Sequence, residues 1–128
     1  MTSDQEPWRN KPYKEFRIAA NQIRDLARGY GACIASDRIT VDGIRVGYCY
    51  REIPDVEADS GWRFFADDET QAYVDCAGNL GFYDINTIAN YDPDIIPLLD
   101  APQGSAFERD CEGRLTIIPG WKAEKGGL

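Results

Sequence analysis

Apolar and polar positions alternate in patterns that place strands and helices in separate parts of the chain. The runs "ACIAS" at 32–36 and "WRFFA" at 62–66 are typical of buried strands. Pro12, followed by apolar residues at 3.6-residue spacing as far as Tyr30, predicts an amphipathic helix. Its other face carries Lys and Arg and is expected to face solvent.

Turn signals divide the remainder of the chain. Residues 38–53 predict a hairpin that turns at Asp42-Gly43, and the segments on either side of Cys111 predict a second hairpin. Asp84 and Asp92 each precede a short helical run, and Asp67 or Asp68 is expected to cap another.

Because these strands and helices are segregated, they predict an α+β fold, an antiparallel sheet with an N-terminal amphipathic helix and short helices packed to one side. We expect one globular unit, with the helix in residues 1–30, the main domain in 31–118 and a tail in 119–128.

The charge is concentrated in the predicted main domain. The 128 residues carry a net charge of −8, whereas residues 31–118 contain six Arg against seventeen Asp and Glu. A field of this sign repels phosphate backbones and attracts a basic protein, so we expect a protein partner and no nucleic acid. The alternative is that the charge serves only solubility.

Neither a membrane span nor a secretory signal is indicated. No apolar run approaches the roughly 18 residues that a spanning helix needs. The first ten residues, "MTSDQEPWRN", lack the basic and then apolar layout of a signal peptide. We therefore expect cytoplasmic localisation and no membrane partner.

The sequence offers little catalytic chemistry. It contains no histidine, no Gly-rich phosphate loop and no G-x-S-x-G motif. The four cysteines form no C-x-x-C pair and are expected to be free thiols, although a metal site built from all four thiolates stays open. The acids of "DDE" at 67–69 point apart on any regular element and so make a poor metal cage. We expect a protein that is not an enzyme and has no cofactor.

Several motifs, in order and spacing, resemble the bacterial immunity-protein-33-like family. They are "ACIASDRITVDG", "VGYCYRE", "DSGWRFFADDE" and "NTIANYDPDIIPLLDAPQGSAFER", and together they span residues 32–109. The resemblance implies the antidote of a polymorphic toxin system, with a cognate toxin as partner and no catalytic residues. The alternative is a stand-alone cytoplasmic binding or regulatory domain. A neighbouring gene for a large secreted toxin favours the first, and a metabolic operon favours the second.

The stretch "DSGWRFFADDE" at 59–69 supports two interpretations, a core strand or a binding surface. Trp62 and Phe64 share one face of a strand, which favours burial, with Arg63 turned toward Asp59 or Asp67. The acids on both sides are then candidates for docking a basic toxin. The predicted partner-binding residues are Asp55, Glu57, Asp59, Arg63, Asp67, Asp68 and Glu69. If these acidic residues only cap turns and keep the protein soluble, the helical segment 84–100 is the alternative docking face.

Overall fold

The structure is a computed structural model that describes residues 14–122. These residues fold around a six-stranded sheet. The strands are β1 (Ala32–Ser36), β2 (Tyr48–Arg51), β3 (Asp59–Phe65), β4 (Leu80–Asp84), β5 (Ala106–Arg109) and β6 (Leu115–Ile117). Their order is β4-β1-β3-β2-β5-β6, and every neighbouring pair is antiparallel except β1 with β3, which is parallel. The predicted α+β class is confirmed.

The helices are short. They are α1 (Asp37–Thr40), α2 (Gln71–Asp75) and α3 (Ile85–Tyr91), with 3-10 turns at Ala20–Gln22, Ala77–Asn79 and Pro93–Leu98. Asp84 caps α3 by accepting from Asn86 N at 2.8 Å, and Asp92 caps the last 3-10 turn, so both predicted helix starts are confirmed. Thr70, and neither Asp67 nor Asp68, caps α2.

The prediction of an N-terminal amphipathic helix is wrong for the described residues. Residues 14–30 contain no α-helix and only the 3-10 turn Ala20–Gln22; residues 1–13 lie outside the described part. The backbone of residues 24–27 forms hydrogen bonds with α3 instead. Asn86 Oδ1 accepts from Leu26 N at 2.7 Å and from Ala27 N at 2.8 Å, and Asn90 Oδ1 accepts from Arg24 N at 2.9 Å. These side-chain amides replace the hydrogen bonds that a helix would supply.

The first predicted hairpin is also wrong. Residues 37–40 form α1, which Ser36 caps, and Gly43 lies beyond its end with φ of 78° and donates to Ile39 O. A glycine of positive φ after a helix is a common C-terminal cap, so Asp42-Gly43 ends a helix and does not join two strands. The second hairpin, β5 with β6 around the Cys111 turn, is confirmed.

The sheet buries apolar side chains on both faces. The first face, which carries Trp62 and Phe64, packs against α3 and the 3-10 turn Pro93–Leu98. The second face carries Phe65 and Tyr50, against which Val74 of α2 and Trp121 pack. The prediction that all helices lie to one side is therefore wrong for α2. Among residues 14–122, no helix is long and apolar enough to cross a membrane.

Candidate partner-binding surface

The predicted acidic residues lie mainly in two loops at opposite ends of β3. We call residues 52–58 the N-terminal loop and residues 66–70 the C-terminal loop. β3 lies between β1 and β2, and all seven of its residues are buried. Its ends are about 20 Å apart at about 3.3 Å per residue. The core interpretation of "WRFF" is therefore confirmed, since Trp62 and Phe64 are fully buried.

The N-terminal loop exposes apolar and acidic side chains together. Ile53 is 77% exposed and Val56 is 60% exposed. Asp55 and Glu57 are exposed as well, and no ion pair among residues 14–122 involves either of them. A contiguous exposed apolar patch is typical of surfaces that contact another protein. The sequence interpretation missed Ile53 and Val56, although their alternation with acids in "EIPDVEAD" was a usable signal.

Close backbone contacts hold this loop against β3. Glu52 N donates to Gly61 O at 2.9 Å, and a Cβ at residue 61 would lie 2.0 Å from Glu52 O. Gly61 also has φ of 93°, which a residue with a side chain adopts only with strain. Glycine is therefore required here, and the start of the loop continues the pairing of β2 with β3.

Arg63 and Asp59 are buried and serve an internal role. Arg63 is 4% exposed, and its NH1 and NH2 donate to the two carboxylate oxygens of Asp59 at 2.9 and 2.7 Å. Its Nε donates to Glu52 Oε2 at 2.6 Å. The bonds from Arg63, with a further bond from Gly61 N, hold the pKa of Asp59 below its usual value. Because Glu52 begins the N-terminal loop and Asp59 follows it, one guanidinium joins both ends of the loop.

The C-terminal loop uses most of its carboxylates internally. Asp68 accepts from Arg38 Nε at 3.0 Å, and the bonds from Arg38 lower the pKa of Asp68. Glu69 accepts from Ala66 N at 2.8 Å and from Asp67 N at 2.9 Å. The C-terminal loop therefore offers fewer free charges than its composition suggests.

Asp67 is the exception in that loop. No described residue forms an ion pair with it, and its φ of 79° is the one positive value among the described residues other than glycine. Burial and the nearby carboxylates of Glu108, Glu69 and Asp68 raise its pKa. It borders an open cleft of about 740 Å³ whose rim also carries Arg45 and Asp110.

In the alternative docking face, residues 84–100, Asp92 and Asp94 serve the fold. Asp92 Oδ2 accepts from Arg109 NH2 at 2.6 Å and from Val46 N at 2.9 Å, and the residue is buried. Asp94 accepts from Arg109 NH1 at 2.9 Å. The sequence did not indicate this pairing, because Arg109 lies fifteen positions or more from both acids.

The thiols are free, and the described residues assemble no metal site. Cys33 and Cys49 are buried on the first face, Cys76 is half-buried and Cys111 is exposed. Burial raises the pKa of Cys49 to about 12 and that of Cys33 further still, so both remain protonated at neutral pH. No group of three or more Cys, Asp or Glu within residues 14–122 is placed to hold a metal ion.

These features define a small α+β protein that exposes an apolar and acidic loop at one end of β3. The chain belongs to the immunity protein family described as the Immunity protein Imm33 domain, whose model matches residues 33–118. That range covers the whole sheet except Ala32 of β1. No curated protein and no solved structure matches the chain at a significant level.

Proposed function

We propose that this chain is an immunity protein that binds a cognate toxin in the cytoplasm and neutralises it by occlusion, without catalysis. Membership of the Imm33 family carries this proposal. The physical features agree with it, because a folded body with an exposed apolar and acidic loop needs no active site to block another protein. The partner is expected to be basic, since residues 31–118 carry six Arg against seventeen acids.

The N-terminal loop is proposed as the centre of the docking surface. Ile53 and Val56 supply apolar area, and full burial of such side chains contributes about 1.5–3 kcal/mol each. Asp55 and Glu57 supply charge around them, which mainly speeds the encounter with a basic partner. An apolar centre with a polar rim is the usual arrangement of protein interfaces.

The C-terminal loop is proposed as an outer part of the same surface. A standard interface patch of about 800 Å² per partner is about 32 Å across, which exceeds the length of β3. Asp67, Asp68 and Glu69 can therefore lie under the same toxin as Asp55 and Glu57. Asp59 and Arg63 contribute by holding the N-terminal loop, since both are buried.

The experiment measures how three double variants, each lacking two negative charges, bind the toxin domain encoded beside this gene. The first changes Asp55→Asn and Glu57→Gln, and the second changes Asp67→Asn and Asp68→Asn. The control changes Asp75→Asn and Glu112→Gln, two exposed acids outside both loops and outside residues 84–100. Association and dissociation rates are measured at low and physiological salt.

We expect the first variant to associate about tenfold more slowly at low salt and to lose much of its salt dependence, with dissociation changed less. The second variant should show a smaller effect in the same direction, and the control should match the unaltered chain. If the unaltered chain neither binds the toxin domain nor rescues cells that express it, the immunity function is refuted. If it binds and neither loop variant changes the rates, the docking surface lies elsewhere.

A further inference from the structure

Among residues 14–122, the outermost strand β4 has one long edge without a neighbouring strand. Within that range β4 pairs only with β1, in the register Ala32 with Asp84 and Ile34 with Phe82. Ile85 N donates to Gly31 O at 2.9 Å just beyond this register. In an antiparallel pair the bonded positions alternate. The backbone groups of Leu80, Phe82 and Asp84 therefore point away from β1.

Two contacts support this assignment of direction. Ala32 N, opposite Asp84, donates away from β4 to Ala58 O at 2.9 Å. Lys14 Nζ reaches Leu80 O at 3.1 Å, which requires that this carbonyl lie on the open edge. No backbone bond within residues 14–122 satisfies Phe82 N–H on that edge. Among residues 14–122, the edge is thus capped at Leu80 and open at Phe82, whereas Asp84 caps the start of α3.

The side chains along the same edge are those of a contact surface. Phe82 is 64% exposed and stands on the second face beside Ile34, which is half-buried. Asp84 is exposed at the end of the strand. That end is also the end from which the N-terminal loop extends, because Ala32 pairs with both Asp84 and Asp59.

The opposite edge of the sheet is less suited to pairing. β6 has three residues where β4 has five, so it presents fewer backbone groups to an added strand. Proteins commonly leave edge strands short or charged to prevent association with other strands. β4 instead combines open backbone groups with an exposed aromatic side chain.

We propose that the open edge of β4 receives an extended strand of the toxin, with an apolar side chain beside Phe82 and a Lys or Arg beside Asp84. Strand addition gives affinity through main-chain hydrogen bonds and specificity through alternate side chains. Charge complementarity favours this occupant over a second copy of the chain, because two copies, each with a net charge of −8, would repel each other. The inference rests on the proposed immunity function.

Two substitutions at position 82 distinguish the contribution of the backbone N–H to binding from that of the side chain. Phe82→Pro removes the outward N–H and leaves the bonds between β4 and β1 intact, whereas Phe82→Ala removes only the ring. Ile117→Ala on the far edge is the matched control, since Ile117 is 61% exposed. We expect Phe82→Pro to weaken binding of the toxin domain encoded beside this gene by about tenfold more than Phe82→Ala does. Ile117→Ala should have no effect.

Amide hydrogen exchange of the unaltered chain tests the same edge without a substitution. The Phe82 amide should exchange rapidly in the free protein and become protected in the toxin complex. Equal binding by Phe82→Pro and Phe82→Ala, or an unprotected Phe82 amide in the complex, overturns the proposal while the immunity function stands. A dimer of this chain that Phe82→Pro dissociates shows that the occupant is a second copy. Failure of the unaltered chain to bind the toxin overturns both proposals.

Discussion

Replacing Arg63 with alanine is expected to lower the free energy of unfolding by about 3–5 kcal/mol. The guanidinium donates to Asp59, to Glu52 and, at 3.1 Å, to Trp62 O. Its removal leaves the buried Asp59 carboxylate without a cation. The cost comes mainly from that unpaired charge, because a buried ion pair as a whole stabilises a fold only weakly.

Urea unfolding followed by tryptophan fluorescence and circular dichroism measures this loss. A domain of this size has a stability of about 5–15 kcal/mol, so the variant should lose a large part of it. At about 4 °C per kcal/mol, the melting temperature should fall by about 12–20 °C. Arg28→Ala, which breaks an exposed pair with Asp25, is the control and should leave stability nearly unchanged.

A double-mutant cycle tests the stated cause. Asp59→Asn removes the charge that Arg63 neutralises, so the double variant should lose less stability than the sum of the two single losses. Additive losses within about 0.5 kcal/mol would show that the two groups are independent. A loss below about 1 kcal/mol for Arg63→Ala would show that the cluster is hydrated, and the reasoning would fail.

Three further outcomes are expected. Trp62→Ala should cost about 3–5 kcal/mol of stability, with toxin binding retained by the folded fraction, whereas lost binding at an unchanged melting temperature would contradict its core role. At pH 8 a thiol reagent should modify Cys111 quickly and Cys33 and Cys49 only slowly, and all four cysteines should react after denaturation without reductant; a shortfall of two thiols would reveal a disulfide. Because the pKa of Asp59 is lowered in the folded state, its stabilising contribution is complete above the ordinary value of 3.8 and is lost as the pH falls further; Asp59→Asn should flatten that part of an acid-unfolding curve.

Elements fixed by neighbours in the chain were predictable from the sequence. Apolar runs located β1 and β3, and Asp84 and Asp92 marked helix starts because a capping carboxylate bonds the backbone two residues later. The Cys111 turn likewise follows from Asp110, whose carboxylate accepts from Glu112 N. For the two caps and the turn, the signal and its bonding partner lie within a few residues of each other.

Elements fixed by distant partners were not predictable. Residues 14–30 have helical periodicity, yet Asn86 and Asn90, about sixty residues away, bond their backbone in another conformation. The parallel pairing of β1 with β3 also depends on the whole sheet order. Periodicity alone does not identify these distant partners. Their tertiary contacts override the local preference for a helix.

The prediction of the candidate surface was limited in the same way. Composition located the two acidic loops, but it could not show which carboxylates are already bonded. Asp68 is paired with Arg38, thirty positions away, whereas Asp55 is not paired with any described residue. The loops look equivalent in sequence, and only the N-terminal one joins unpaired acids to exposed apolar side chains.

The Arg63 cluster connects the core of this fold to its proposed function. Because Arg63 bonds Glu52 and Asp59, it fixes both ends of the loop that exposes Ile53 and Val56. A loop held in one conformation loses less entropy when a partner binds it than a loop free to move. The charge that the sequence assigned to partner contact therefore acts indirectly, by keeping the proposed contact residues in place. Because a buried ion cluster adds little net stability to a fold, ordering this loop is the role that we propose for it.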